Sequence, residues 1–287
     1  MISESIFMIR GGSFGEEFTL KLVMSLIGLG ICLYDWKVNN NRKDYFWVFL
    51  VGTIIWSTAE LVQQIIGTRV LQRKYLFGLD ITNAFWLTIP LQGMSEGAFV
   101  AVVGMLFGDR MFDKKNRKYW IGIFVIALIV RLAMALSNGI NFNSVNAGDP
   151  SVPSRRDIFP PIAVIFIISM CSIAIIWLIT TTPPARKRGI SMYLVMVIFI
   201  AWWTFTEWLT GQRWIELGMI NADGSYSNLR RAPPLIEFLA LTYDVVVEVS
   251  LIYVPFLAIP YWLGLIKTED IESIYGLNSK NRERIVS

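Results

Sequence analysis

Three carboxyl groups, Glu237, Asp244 and Glu248, lie in one long apolar run between Pro233 and Leu265. At about 100° per residue, spacings of seven and four bring them within roughly 20° of one line on a helix. A charged side chain in hydrocarbon costs several kcal/mol, so such a stripe must face protein, water or substrate. Removal from water favours the neutral acid, and carboxyls sharing a site push one proton affinity up further. One group then serves as acid and its neighbour as base. Trp56, Trp86, Trp202, Trp203, Trp208 and Tyr243 supply electron-rich ring faces that stabilise a cation. Together these suit protonation of an olefin or epoxide, ring closure through a carbocation, and loss of a proton. The same stripe also fits a polar seam between packed helices, and tryptophans collect at membrane interfaces in any case. The spacing leaves both readings open.

The elements that must carry these residues are apolar segments long enough to cross a bilayer. Seven occur, near 18–36, 45–67, 84–107, 119–137, 160–181, 190–212 and 235–264. A hydrophobic fraction of 54% and a mean hydropathy of +0.52 agree with an integral membrane protein. The connections near 138–159 and 213–234 are the longest, and neither has the periodic apolar pattern of a soluble domain. The expectation is one all-α membrane domain over 1–287, a seven-helix bundle with a tail at 266–287. The start of the chain lacks a basic stretch followed by an apolar core, so a cleavable signal peptide is not expected.

Basic residues in alternate loops set the orientation. Fifteen fall on one side and nine on the other (Arg10, Arg69, Arg73, Lys74, Arg155, Arg156, Arg213, Arg230, Arg231), while Lys21 and Arg131 lie within helices. The N-terminus is therefore expected outside and the C-terminus in the cytoplasm, in a multi-pass protein of the cell membrane. An internal echo accompanies this layout. Trp56 precedes Glu60 by four residues as Trp203 precedes Glu207, and Gln92 precedes Glu96 as Asp244 precedes Glu248. A spacing of four stacks each pair on one face. Segments 18–107 and 160–264 then read as parallel repeats joined by a linker helix at 119–137. The acids fall in the outer half of the bundle, with Arg131 at similar depth as a counter-charge. A polar outer cavity above a dry inner plug of Leu, Ile and Val is expected.

Other chemistries find no support. There is no histidine to serve a serine or cysteine nucleophile, and no phosphate-binding glycine loop. The two cysteines, Cys32 and Cys171, lie in apolar runs, so neither a disulfide nor a zinc site is expected. No cofactor or metal is expected, although the carboxylates leave open a hard cation such as Mg²⁺. The net charge of +4 in short loops suits contact with membrane lipids rather than nucleic acid. The partner expected is a hydrophobic, lipid-like small molecule, and association into homo-oligomers is compatible with this.

Two resemblances bear on the fold. The run WLTIPL (Trp86–Leu91), WLTG (Trp208–Gly211) and an acid four residues before the seventh-helix attachment position resemble the microbial rhodopsin superfamily. That implies seven helices, an outside N-terminus and a 3+1+3 layout. The position of the retinal lysine holds Glu248, so a retinal Schiff base is not implied. Trp56 with Glu60 followed by IPLQG, and Trp203 with Glu207 followed by PPLIE, are similar to the transmembrane lycopene cyclase group. Glu237 keeps one motif acid there, while Gln92, Gly93 and Ile236 replace the other three. The leading expectation is an isoprenoid cyclase or isomerase. Glu248 or Glu96 would donate the proton, with Asp244 as base or cation stabiliser and Glu237 as a further catalytic acid. Glu60, Glu207, Arg131 and Gln92 would support them, and Trp56, Trp203, Tyr243 and Trp86 would line the pocket. The alternatives are a retinal-free rhodopsin-like sensor, carrier or scaffold, and a proton-coupled transporter.

Overall fold

The structure, a computed structural model, describes residues 4–10, 16–39, 41–71, 73–141, 148–149, 152, 154–221 and 224–267. Of the expected tail at 266–287, residues 268–287, with Lys280, Arg282 and Arg284, lie outside these residues. Among the described residues six helices are long and apolar enough to cross a bilayer: Phe18–Val38, Asp44–Ile65, Phe85–Arg110, Arg117–Ser137, Pro161–Thr180 and Pro183–Leu209. The first is capped by Glu17, whose carboxylate accepts from the Thr19 backbone N–H at 3.0 Å. Prolines open three others, at Pro161, Pro183 and Pro234, where a missing N–H costs nothing. We label the first two helices α1 (Phe18–Val38) and α2 (Asp44–Ile65).

Two of the apolar segments are not continuous α-helices. The third runs as α3 (Phe85–Gln92), a π-helical turn (Gly93–Phe99) and α4 (Val100–Arg110). The last runs as α8 (Pro234–Tyr243), a π-helical turn (Asp244–Glu248), a 3-10 turn (Leu251–Tyr253) and α9 (Val254–Trp262). The unbroken helix expected over 235–264 is thereby corrected. Pro90 removes a backbone donor just before the first wide turn, and the Tyr253 hydroxyl caps the Glu96 carbonyl at 2.6 Å. Beyond the second wide turn, the Ser250 hydroxyl caps the Val245 carbonyl at 2.6 Å. Between these elements lie α5 (Arg117–Asn141), α6 (Pro161–Thr180) and α7 (Pro183–Leu209). The last begins seven residues before the expected start and so carries Arg188 into the bundle.

The all-α expectation is also corrected. Segments taken as loops form a five-stranded antiparallel sheet in the order β2-β5-β1-β6-β7. Its strands are β1 (Ser5–Arg10), β2 (Arg69–Leu71), β5 (Ser154–Asp157), β6 (Arg213–Ile220) and β7 (Tyr226–Arg231). A small hairpin of β3 (Tyr75–Leu76) and β4 (Leu79–Asp80) stands apart. The sheet closes one end of the bundle and is covered on both faces. Met8, Ile215 and Leu217 pack with Ala240 of α8, while Phe7, Ile9 and Trp214 form a separate cluster with Val152. Strand alternation sends neighbouring side chains to opposite faces. Arg213 shares its face with Ile215 and Leu217, and register pairs Arg10 with Arg213 and Arg156 with both Met8 and Arg69. Arginines of four strands thus point at the helices.

Candidate functional site

Two glycines set the first π-helical turn against α2. A Cβ at Gly93 would fall 2.0 Å from Ser57 Oγ, and one at Gly97 would fall 2.5 Å from Trp56 Cβ. This small-xxx-small contact lets the backbones close up and aims Glu96 beside Trp56. The second π-helical turn carries Asp244 and Glu248 on the facing side. Wide helical turns of this kind recur at functional sites because they re-aim side chains.

Each acid meets an arginine or lysine. Arg69 of β2 donates to Glu60 of α2 at 2.5 Å and to Glu96 at 3.2 Å. Lys21 of α1 adds a third bond, to Glu96, at 2.9 Å. In the other half Arg213 of β6 donates to Glu207 of α7 at 2.8 Å and to Asp244 at 2.8 Å. Arg131 donates to Glu207 at 2.9 Å and stacks on Trp203 at 4.1 Å. Arg156 of β5 binds Glu248 and lies 3.6 Å from Asp244. The same motif, helix carboxylate to strand arginine to π-turn carboxylate, occurs twice.

Most of these groups are removed from solvent, with Glu60, Asp244 and Lys21 at or below 1% exposure. Burial depresses Arg69, but the adjacent Glu60 and Glu96 carboxylates hold it above the usual guanidinium range. The same balance raises Arg156, burial being overcome by Glu248 and then Asp244. Arg10 goes the other way. Burial and the neighbouring Arg213 push it down to about 10, against the pull of Glu207 and Glu96.

Glu96, Asp244, Glu248, Arg10, Arg156 and Trp56 line a cavity of about 30 Å³. A second, of about 60 Å³, is lined by Glu96, Trp56, Trp203, Arg213 and Tyr253 among others. Cavities that bury a small organic ligand measure roughly 300–1,000 Å³, so these accept only water-sized guests. Beside the smaller one Asp244 Oδ1, Glu248 Oε2 and the Trp56 indole N–H make no hydrogen bond among the described residues, though Asp244 Oδ1 lies 3.6 Å from Arg156. The structure therefore brings Glu96, Asp244, Glu248, Trp56 and Trp203 together, with Glu60, Glu207 and Arg131 behind them.

The remaining expected site residues do not line these two cavities. Gln92 is buried and accepts from Gln64 at 3.1 Å, in a chain that continues to Lys74. Tyr243 packs on Phe159 at 5.1 Å. Trp86 is 79% exposed and does not line these two cavities. Glu237 accepts from the Trp208 indole N–H at 2.7 Å and from Arg231 at 2.8 and 3.0 Å. It borders a different space, a lateral groove of about 800 Å³ between α7 and the α8 region. The groove is walled by Val197, Ala201, Phe205, Phe238, Leu241 and Val245. It opens because α8 rests on β6 while the π-helical turn below it meets α7.

The opposite end of the bundle is not the dry aliphatic plug expected. Arg188, 1% exposed, donates to Asp109 at 2.7 Å and to Asp44 at 2.8 Å, and Tyr45 donates to Asp109 at 3.1 Å. Arg110 lies 3.5 Å from Asp35. Between the two charged layers the core is built from Met105, Met192, Met196, Phe256 and Ile252. The chain matches no protein-family model, no curated protein and no solved structure.

Proposed function

We propose that this chain is a multi-pass protein of the cell membrane that holds one lipid-like molecule in the α7–α8 groove, with the sheet end outside. The observation that carries this reading is the groove itself. Its volume is in the range that buries a small ligand, its walls are apolar, and its polar groups gather at one mouth. Seven crossings follow if the broken run Pro234–Trp262 spans as one unit, and the repeated acid–arginine motif favours two parallel halves. Arg69, Lys74, Arg155 and Arg213, all on the less basic side, are buried, which widens the charge asymmetry between the two faces.

The other readings fit less well. Glu96, Asp244 and Glu248 accept from cationic donors beside cavities too small for an isoprenoid, so proton donation to an olefin has no room there. Rocking of one half against the other, as a transporter requires, would tear a sheet that joins strands from both. A photoreactive amphiphile with a mid-chain diazirine tests the binder reading: labelling is expected at Phe205, Phe238 and Leu241. Labelling confined to the outward faces of α5 and α6 contradicts it.

One observation keeps an isoprenoid cyclase or isomerase as a second reading. Glu237 is a carboxylate that borders the large groove. In that case expressing cells would accumulate a cyclised lipid that Glu237→Gln abolishes, and an unchanged lipid extract rejects it.

A further inference from the structure

The geometry points to an anionic membrane lipid as the occupant of the groove, its headgroup seated on Arg231. This deepens the groove reading and rests on it. The mouth is built from three side chains with unequal access to solvent. Glu237 is 5% exposed, and its two oxygens already take three bonds, from Trp208 and from the Nε and Nη2 of Arg231. Three of its roughly four acceptor sites are therefore taken within the protein. Arg231 is 54% exposed, and its two bonds to Glu237 leave Nη1 for another acceptor.

The carboxylate therefore sits behind the guanidinium and fixes its plane, while the cationic edge faces outward. A guanidinium held this way matches two oxygens of a phosphate or carboxylate, as a point charge does not. Trp208, 42% exposed, stands beside it, where an indole suits the boundary between headgroup and acyl chain. Below this mouth the walls are apolar apart from Thr204 and Thr242. Thr204 already accepts from Arg213 at 2.9 Å. An amphiphile with one charged end and a hydrocarbon body satisfies both parts, whereas a free anion would leave the groove unfilled.

The test compares two lipids with the same fluorescent-labelled acyl chains, phosphatidylglycerol and diacylglycerol, binding to the full chain in phosphatidylcholine nanodiscs. Phosphatidylglycerol is expected to bind on the order of tenfold more tightly, the worth of a charged hydrogen bond. Arg231→Ala should erase that preference, and Arg231→Lys, which keeps a cation beside Glu237, should retain part of it. Ala201→Trp, which fills the groove, should weaken both lipids. Equal binding of the two lipids, or an unchanged preference in Arg231→Ala, overturns the headgroup assignment and leaves the groove reading standing. Binding of both lipids that Ala201→Trp does not affect overturns the groove reading and the headgroup assignment with it.

Discussion

Arg213 Nη1 lies 2.8 Å from Asp244 Oδ2, joining a strand to a helical turn 31 residues away. Its Nε is spent on Glu207 at 2.8 Å, so one guanidinium neutralises two carboxylates that occupy different helices. The acids of this bundle are thus held by the sheet that closes it.

Removing that guanidinium takes a cationic donor from each of two buried anions, leaving Glu207 to Arg131 and Asp244 to Arg156 at 3.6 Å. Arg213→Ala is expected to lose about 3–5 kcal/mol of stability, the usual cost of breaking a buried pair from one side. Arg213→Lys should recover only part, because an ammonium cannot fork to two acceptors. Thermal unfolding in detergent measures both, and a wild-type transition in Arg213→Ala would contradict the role.

The close approach of the first π-helical turn to α2 has its own signature. Gly93→Ala places a methyl 2.0 Å from Ser57 Oγ and should cost about 1–3 kcal/mol through overpacking. Gly30→Ala meets nothing within 4 Å and should be neutral or slightly stabilising, since alanine suits a helix better. Equal stability of the two variants would contradict the packing.

At the opposite end the expected losses are graded. Arg188→Ala takes the guanidinium from Asp109 and leaves Asp44 to Arg42, and should cost about 3–5 kcal/mol. Tyr45→Phe removes a single hydrogen bond to Asp109, itself still held by Arg188, and should cost about 1–2 kcal/mol. Chemical unfolding of the two variants checks the order.

Asp157 of β5 gives a pH dependence of defined sign. Burial raises its proton affinity, opposed by the Phe159 N–H and by Arg156. The folded state then holds the proton at pH values where the unfolded chain has lost it. Stability should fall as pH rises from the unfolded value, near 3.8, through the folded one. Asp157→Asn should flatten that slope, and a slope that persists unchanged would assign it to another group.

The helical part of this fold was legible because run length and hydropathy respond to a bilayer without regard to tertiary partners. The sheet was not, since RWIEL at 213–217 sets Trp214 beside Ile215 and lacks a clean apolar–polar alternation. Its arginines read as loop charges that orient a membrane protein, and the two explanations use the same residues. The acids of helices 2, 3, 6 and 7 were legible as a set, and Arg131 as a counter-charge for one of them, but the strand arginines that neutralise the rest were not. Arg69 reaches Glu96 across 27 residues and Arg156 reaches Glu248 across 92, pairings that no local spacing encodes. Lys21 and Arg131, the two cations placed within the apolar segments, were the visible signs that buried carboxylates had cationic partners. The groove had no sequence signal, since it arises where α8 leans away from α7 onto β6.

Native mass spectrometry of the protein released from membranes bears most directly on the division between a charge network that holds the fold and a groove that holds the ligand. One bound amphiphile is expected in the wild type and in Glu96→Gln, and none in Ala201→Trp. Retention in Ala201→Trp together with loss in Glu96→Gln would place the ligand among the paired acids and contradict the account.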